Sequence, residues 1–239
     1  MSAFVTMTAE KIDSERRRSR PVEKPKKVAV IKRNKARVGI ILVIIAMVTI
    51  AAMTIIFIHP AKNRIAVIDT NMGTIKVELY EDKMPITTAN FIKLANAGFY
   101  DGLIFHRIKD DFMIQGGGYY PNGTKKTDPY GPISFEINPD VTHVDGAISM
   151  ARTSELNSAA SEFFICDGEQ QGLDDDFLQE NYGQRGYAAF GVVTEGIDIV
   201  RDIAARPHDN SVMDANGDPD GSGKPLTDII INSIKITTQ

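Results

Sequence analysis

The chain has 239 residues, of which 43% are hydrophobic and 24% charged, a balance that excludes wholesale disorder and allows one good-sized domain plus an appendage. The net charge of −4 conceals an asymmetry, because residues 1–37 hold twelve Lys/Arg against four acids, leaving fifteen against twenty-seven for the remainder. A single cysteine, Cys166, excludes an intramolecular disulfide, and the four histidines are scattered without metal-ligand spacing, so no metal is expected.

In chain order the basic stretch 1–37 comes first. Residues 38–58 then run for 21 positions without a charge. As a helix rising ~1.5 Å per residue, such a run spans about the hydrocarbon thickness of a bilayer, whereas buried core helices rarely exceed about 14 wholly apolar residues. Lys32, Arg33, Lys35 and Arg37 precede the run and only Lys62 and Arg64 follow closely. The positive-inside rule therefore predicts a cytoplasmic N-terminus and an extracytoplasmic domain on a single-pass cell-membrane anchor. His59-Pro60-Ala61-Lys62 lacks the small-x-small pattern of a cleaved signal peptide, which favours an uncleaved anchor touching lipid through residues 38–58. Beside such a span, the basic tail reads as a determinant of topology and a contact for anionic lipid, with no nucleic acid expected. The predicted organisation is a tail at 1–37, a transmembrane helix at 38–58, a linker at 59–63 and a domain at 64–239.

Within that domain, Ile65-Ala66-Val67-Ile68 leads through a turn at Gly73 into residues 74–80, where Ile75, Val77 and Leu79 alternate with Lys76 and Glu78. That is the period of a half-buried strand. After Pro85, Thr87 or Thr88 is expected to cap a helix reaching Ala97, with Phe91, Leu94 and Ala95 on one face and Gly98 stopping it. A second short helix is expected after Gly196, carrying Ile197, Val200, Ile203 and Ala204 at helical spacing. The other apolar segments, at 103–108, 112–114, 147–151, 163–166, 187–193 and 229–236, are short and bounded by Gly, Pro, Asn or Asp. Many short strands and two lone helices predict a mainly antiparallel sheet or barrel, not a βαβ repeat.

Several segments are more specific. Phe105-His106-Arg107-Ile108 followed by Phe112-Met113-Ile114-Gln115-Gly116-Gly117-Gly118 resembles the cyclophilin signature FHRxxxxFMxQGG. Ser149-Met150-Ala151-Arg152, Ser161-Glu162-Phe163-Phe164-Ile165-Cys166, Tyr187-Ala188-Ala189-Phe190-Gly191 and Pro85-Ile86-Thr87-Thr88-Ala89-Asn90-Phe91 resemble further segments of that family in its order. The ordered matches cover residues 64–239. The resemblance implies an eight-stranded antiparallel β-barrel with two capping helices and an outer groove for proline-containing polypeptides. It implies peptidyl-prolyl isomerase activity without cofactor, metal or nucleotide.

An X-Pro bond resists rotation by roughly 18–20 kcal/mol because amide resonance is lost midway. The twisted proline nitrogen then regains a lone pair, and a fixed donor aimed at it lowers the barrier. Arg107 is the candidate donor, since a guanidinium stays charged, is planar and needs no proton transfer. By the resemblance, Phe112, Met113 and Phe164 line the proline pocket and Leu173 closes one side. Ala151, Arg152 and Glu162 border the peptide groove. Gln115 hydrogen-bonds the substrate backbone and helps hold Arg107, and Tyr187 stands where members carry His or Tyr as a donor to the peptide. His106 reads as a buried, hydrogen-bonded structural residue, since the chemistry transfers no proton.

Three positions depart from the family pattern. Glu162 replaces a usual Gln, Arg152-Thr153 replaces the Asn-Ala of eukaryotic members, and Gly172 stands where an aromatic residue is frequent. Glu162 and Gly172 motivate an alternative, a membrane-tethered proline-peptide-binding domain with decayed catalysis. The acidic stretch 214–223 resembles a calcium loop, but Pro219 or Thr227 falls where Gly or the bidentate Glu is needed, so a flexible solvated loop is expected. No Walker or Gly-x-Ser-x-Gly motif appears.

Overall fold

The computed structural model describes residues 37–49, 63–213 and 216–238. The chain divides into two compact units, Met1–Pro60 and Ala61–Gln239. In the first, residues 37–49 are helical with exposed side chains. The rest of the predicted span and most of the basic tail lie outside the described residues, and among the described residues no helix is long and apolar enough to cross a membrane.

The second unit is built on eight antiparallel strands: β1 (Ile65–Thr70), β2 (Gly73–Leu79), β3 (Ile104–Lys109), β4 (Met113–Tyr119), β5 (Ala147–Met150), β6 (Phe163–Cys166), β7 (Ala188–Glu195) and β8 (Ile229–Thr237). They close in the order β1-β2-β7-β5-β6-β4-β3-β8, with β8 returning to β1, so the sheet has no free edge. Alternation decides which side chains go inside, interrupted on β3 by register shifts on either side of Phe105. Phe105 and Ile108 on β3, Ile114 on β4, and Phe163 and Ile165 on β6 are fully buried in the barrel interior with Ile75, Val77 and Leu79.

The residues between them point outward, but not all meet water. Met113, Phe164 and Cys166 join Ala147 in a second, smaller apolar cluster, against which Phe112, Ala151, Leu173 and Tyr187 pack. Strand β6 is therefore buried on both faces, and its sequence does not alternate. Burial places the Cys166 thiol at about 12, above the range of a reactive cysteine.

Two helices, α1 (Pro85–Asn96) and α3 (Ile197–Ala204), bury their apolar faces in the interior cluster. Phe91 of α1 packs against the rings of Tyr100, Phe163 and Phe190 at 5.3–5.4 Å between centroids. Neither threonine caps α1 as expected. The helix starts at Pro85 with Met84 at the cap, and the distant Glu136 carboxylate accepts the amides of Ile86 (3.1 Å) and Thr87 (2.8 Å) and the Thr87 hydroxyl (2.8 Å). A negative charge at a helix start satisfies the open N–H groups and complements the dipole.

A third helix, α2 (Asp175–Tyr182), corrects the expectation of two. It is short and polar, with Asp175 its only buried residue, so no apolar stripe announces it. It begins with two acids, ends at Gly183 in the left-handed conformation, and follows a 3-10 turn at Gln171–Leu173.

Candidate active site

The signature folds as a β3–β4 hairpin, and its register builds the site. Arg107 on β3 pairs with Gln115 on β4, which pairs with Phe164 on β6. One outward row across three strands therefore offers a cation, an amide and an aromatic ring. The sequence pattern ends β4 at Ile114, whereas the strand continues through all three glycines. Gly117 has φ +85°, and a Cβ there would meet the Ser161 carbonyl at 2.9 Å. A Cβ on Gly118 would meet Glu162 Cγ at 2.7 Å. These glycines let β6 and the side chain of Glu162 come close.

A pocket of about 210 Å³ is lined by Arg107, Phe112, Met113, Gln115, Ala151, Arg152, Phe164, Leu173 and Tyr187. The structure thus brings together nine of the ten predicted site residues. Its floor is rigid. Phe164 packs edge-on to Tyr187 at 5.8 Å and parallel to His143 at 5.9 Å. His143 is itself fixed, with Nδ1 2.7 Å from Asp174 Oδ1 and Nε2 3.0 Å from Ser149 Oγ. That Ser–His–Asp connectivity has the look of a nucleophilic triad, but Ser149 is 0% exposed and cannot reach a substrate. The connectivity fixes a ring that stacks on Phe164, and no motif marks it because its three members come from separate elements.

Arg152 forms one side wall. Its Nε donates to the Gly186 carbonyl (3.0 Å) and Nη1 to that of Thr153 (2.9 Å), and Nη2 donates to the Arg185 carbonyl. Its guanidinium lies 4.9 Å from the Tyr187 ring centre. Gly172 does not line this pocket; it lines a neighbouring cavity that shares Arg152, Leu173 and Tyr187, and a Cβ there would meet no atom within 4 Å.

The tenth residue, Glu162, lies just beyond, lining an adjoining cavity of about 530 Å³ that shares Gln115, Ala151 and Arg152 with the first. Its carboxylate accepts from Gln115 Nε2 (3.1 Å), pairs with Lys125 Nζ (2.8 Å) and lies 3.4 Å from His106 Nε2. Burial works to raise this carboxyl, but the His106 ring and the Lys125 ammonium outweigh it and hold it at about 2. His106 is half-buried beside Tyr119, and its Nδ1 is buried without a hydrogen-bond partner among the described residues.

Gln115 is thus turned toward Glu162 and makes no described hydrogen bond to Arg107, contrary to expectation. Arg107 is instead held from the other side, with Nη2 2.8 Å from Asp220 Oδ2 and Nε 2.8 Å from Ser222 Oγ. Both partners belong to the acidic stretch expected to be flexible. Near the Phe112 turn, Asp110, Asp111 and Asp167 bring carboxylate oxygens within 4.8 Å of one another. Asp167 there accepts the Asp111 amide at 3.2 Å.

The family model for the cyclophilin type peptidyl-prolyl cis-trans isomerase matches residues 65–236. The chain belongs to the cyclophilin family. It is 39% identical over 158 residues to a peptidyl-prolyl cis-trans isomerase of Acinetobacter baylyi, covering 66% of this chain and 81% of that one. It is 36% identical over 171 residues to peptidyl-prolyl cis-trans isomerase B of Escherichia coli, covering 70% and 96%. Among solved structures it is similar to a Cryptosporidium parvum cyclophilin type isomerase crystallised in the presence of the dipeptide Ala-Pro (TM-score 0.57, 30% identity, 73% and 99% covered).

Proposed function

We propose that this cyclophilin accelerates X-Pro isomerisation in polypeptides outside the cytoplasmic membrane, with Arg107 as the donor to the twisted proline nitrogen. Peptidyl-prolyl isomerase activity is the family's. The observation that carries the assignment of Arg107 is that its side chain lines the same pocket of about 210 Å³ as the apolar side chains of Phe112, Met113, Phe164 and Leu173. Burying a proline ring there anchors the residue through contacts shared by the cis and trans forms, and such uniform binding does not by itself change the rate. The guanidinium adds an interaction that grows only as the amide twists. Gln115 and Tyr187 lie within the same pocket as donors for the flanking peptide groups. No step requires a proton to move, a metal or a cofactor.

The test is a protease-coupled isomerisation assay on the full-length chain. Arg107→Ala is expected to lower kcat/KM by ~100-fold or more, the size of a lost transition-state donor. Near-normal activity of the variant would remove Arg107 from that role. The same assay decides against a merely peptide-binding domain, which shows no isomerisation before mutation.

Location outside the membrane is supported by the 21 uncharged residues of 38–58 and the four basic residues just before them. Protease added to sealed cells stripped of their outer layers is expected to digest the domain after residue 58 and spare residues 1–37. Protection of the domain in those cells reverses the orientation.

A further inference from the structure

The connection from α3 to β8 carries the acidic, glycine-rich stretch, and its described residues are folded back on themselves. The amide of Asp220 donates to the Val212 carbonyl (2.9 Å), that of Val212 to the Ser222 carbonyl (3.3 Å), and that of Lys224 to Asp209 Oδ1 (2.8 Å). The stretch is also fastened to β3 beside Arg107. Ile108 and Gly223 exchange both backbone hydrogen bonds, at 2.9 and 3.2 Å. A side chain at Gly223 would meet the Asn210 amide at 2.6 Å, so the fold-back tolerates only glycine there.

This frame aims two side chains at one edge of the guanidinium. Ser222 is 0% exposed, and its Oγ accepts Arg107 Nε at 2.8 Å while donating to Asp220 Oδ1 at 2.6 Å. The other Asp220 oxygen accepts Arg107 Nη2 at 2.8 Å. Two neighbouring donors held by two linked acceptors fix the plane of the guanidinium as well as its place. Nη1 makes no described hydrogen bond, and Arg107 lines the pocket. Gln115, the cross-strand neighbour of Arg107, donates to Glu162 and leaves this task to the loop. Burial works to raise the Asp220 carboxyl, but the hydrogen bonds from Ser222 and the charge of Arg107 prevail and lower it.

We infer that Asp220 and Ser222 are positioning residues for Arg107, so that the acidic loop before β8, and not strand β4, orients the donor of the isomerase. The inference rests on Arg107 being that donor. An arginine released from such a hold samples many rotamers, and a displacement of about 1 Å at a reacting centre can cost about 100-fold in rate.

The experiment uses the full-length chain and an Ala-Pro peptide. Asp220→Ala is expected to lower kcat about tenfold while KM stays within about twofold, because the pocket is untouched. In the same variant the Arg107 Nε–H resonance is expected to lose its protection from solvent exchange, a change that loss of stability alone does not produce in a folded domain. The isosteric Asp220→Asn keeps the acceptor without the charge and should fall between the two, and it carries the same test if the alanine disturbs the loop. Wild-type kcat in both variants overturns the inference. A kcat above wild type also overturns it, since the carboxylate would then be restraining the arginine. Arg107→Ala separates the two levels: if that variant stays active the donor assignment fails, whereas an inactive Arg107→Ala beside an unaffected Asp220→Ala sinks only the role of the loop.

Discussion

The two walls of the groove are made in different ways. The apolar wall comes from strands adjacent in the barrel, and Met113, Phe164 and Cys166 reach the outer face simply because their neighbours Ile114, Phe163 and Ile165 fill the interior. The charged wall is not self-sufficient. Arg107 reaches the same face through a shift in the β3–β4 register between Phe105 and Arg107, but its guanidinium is held by Asp220 and Ser222, 113 and 115 positions away in the chain. Short apolar side chains need only a register, whereas a long flexible cation needs acceptors placed to match its fork. Binding can therefore be written in local sequence, while orientation of the donor depends on a distant loop.

That contrast can be broken at either wall. The largest effect is expected at the cation, where Arg107→Ala should reduce kcat/KM by ~100-fold or more with little change in peptide affinity. Asp220→Ala follows at about tenfold, in kcat. The apolar wall should respond in the other parameter. Phe164→Leu keeps an apolar floor but loses the ring that packs with Tyr187 and His143, and aromatic contacts of this kind contribute about 0.5–1.5 kcal/mol. Steady-state kinetics should show KM raised about two- to tenfold with kcat nearly unchanged. A fall confined to kcat would mean that the two walls are not separable.

The smallest effect is expected at Glu162, which holds Gln115 but touches neither Arg107 nor the pocket floor. Its carboxyl is held at about 2 in the folded protein, below the ~4.3 of an unperturbed glutamate. Because the folded value is the lower, its stabilising contribution is complete above about pH 4.3 and is lost as the pH falls toward 2. Glu162→Gln should therefore lower Tm by about 2–4 °C at pH 7, for a loss on the order of 1 kcal/mol. Thermal melts should show the gap to the parent protein closing below pH 4.3. A gap that persists unchanged at pH 3 would place the stabilisation elsewhere.

How much of this could be read beforehand follows the same division. All eight strands were visible as short apolar runs between turn residues, since each buries at least one face. The pocket residues were visible through the family resemblance, and the hairpin register then explains why they converge. Helix α2 was not, because only Asp175 of its eight residues is buried and helical periodicity has nothing to mark. The capping of α1 by Glu136, the fixing of His143 by Asp174 and the hold of Asp220 on Arg107 were equally hidden. Each joins residues at least 31 positions apart through polar atoms, which leave no period in a sequence. The acidic stretch was read as solvated because its composition is polar, yet polar residues are the ones able to hold a half-buried guanidinium.

The most direct measurement is the rate of cis–trans exchange within a bound Ala-Pro peptide, followed by two-dimensional exchange NMR on the parent protein and on Arg107→Lys. Lysine keeps the positive charge but not the planar fork that Asp220 and Ser222 grip. With Arg107 as the oriented donor, exchange on the enzyme should slow by at least tenfold while the dissociation constant of the peptide changes by less than about threefold. Exchange at the parent rate in the lysine variant, with binding intact, would contradict the oriented guanidinium as the source of catalysis.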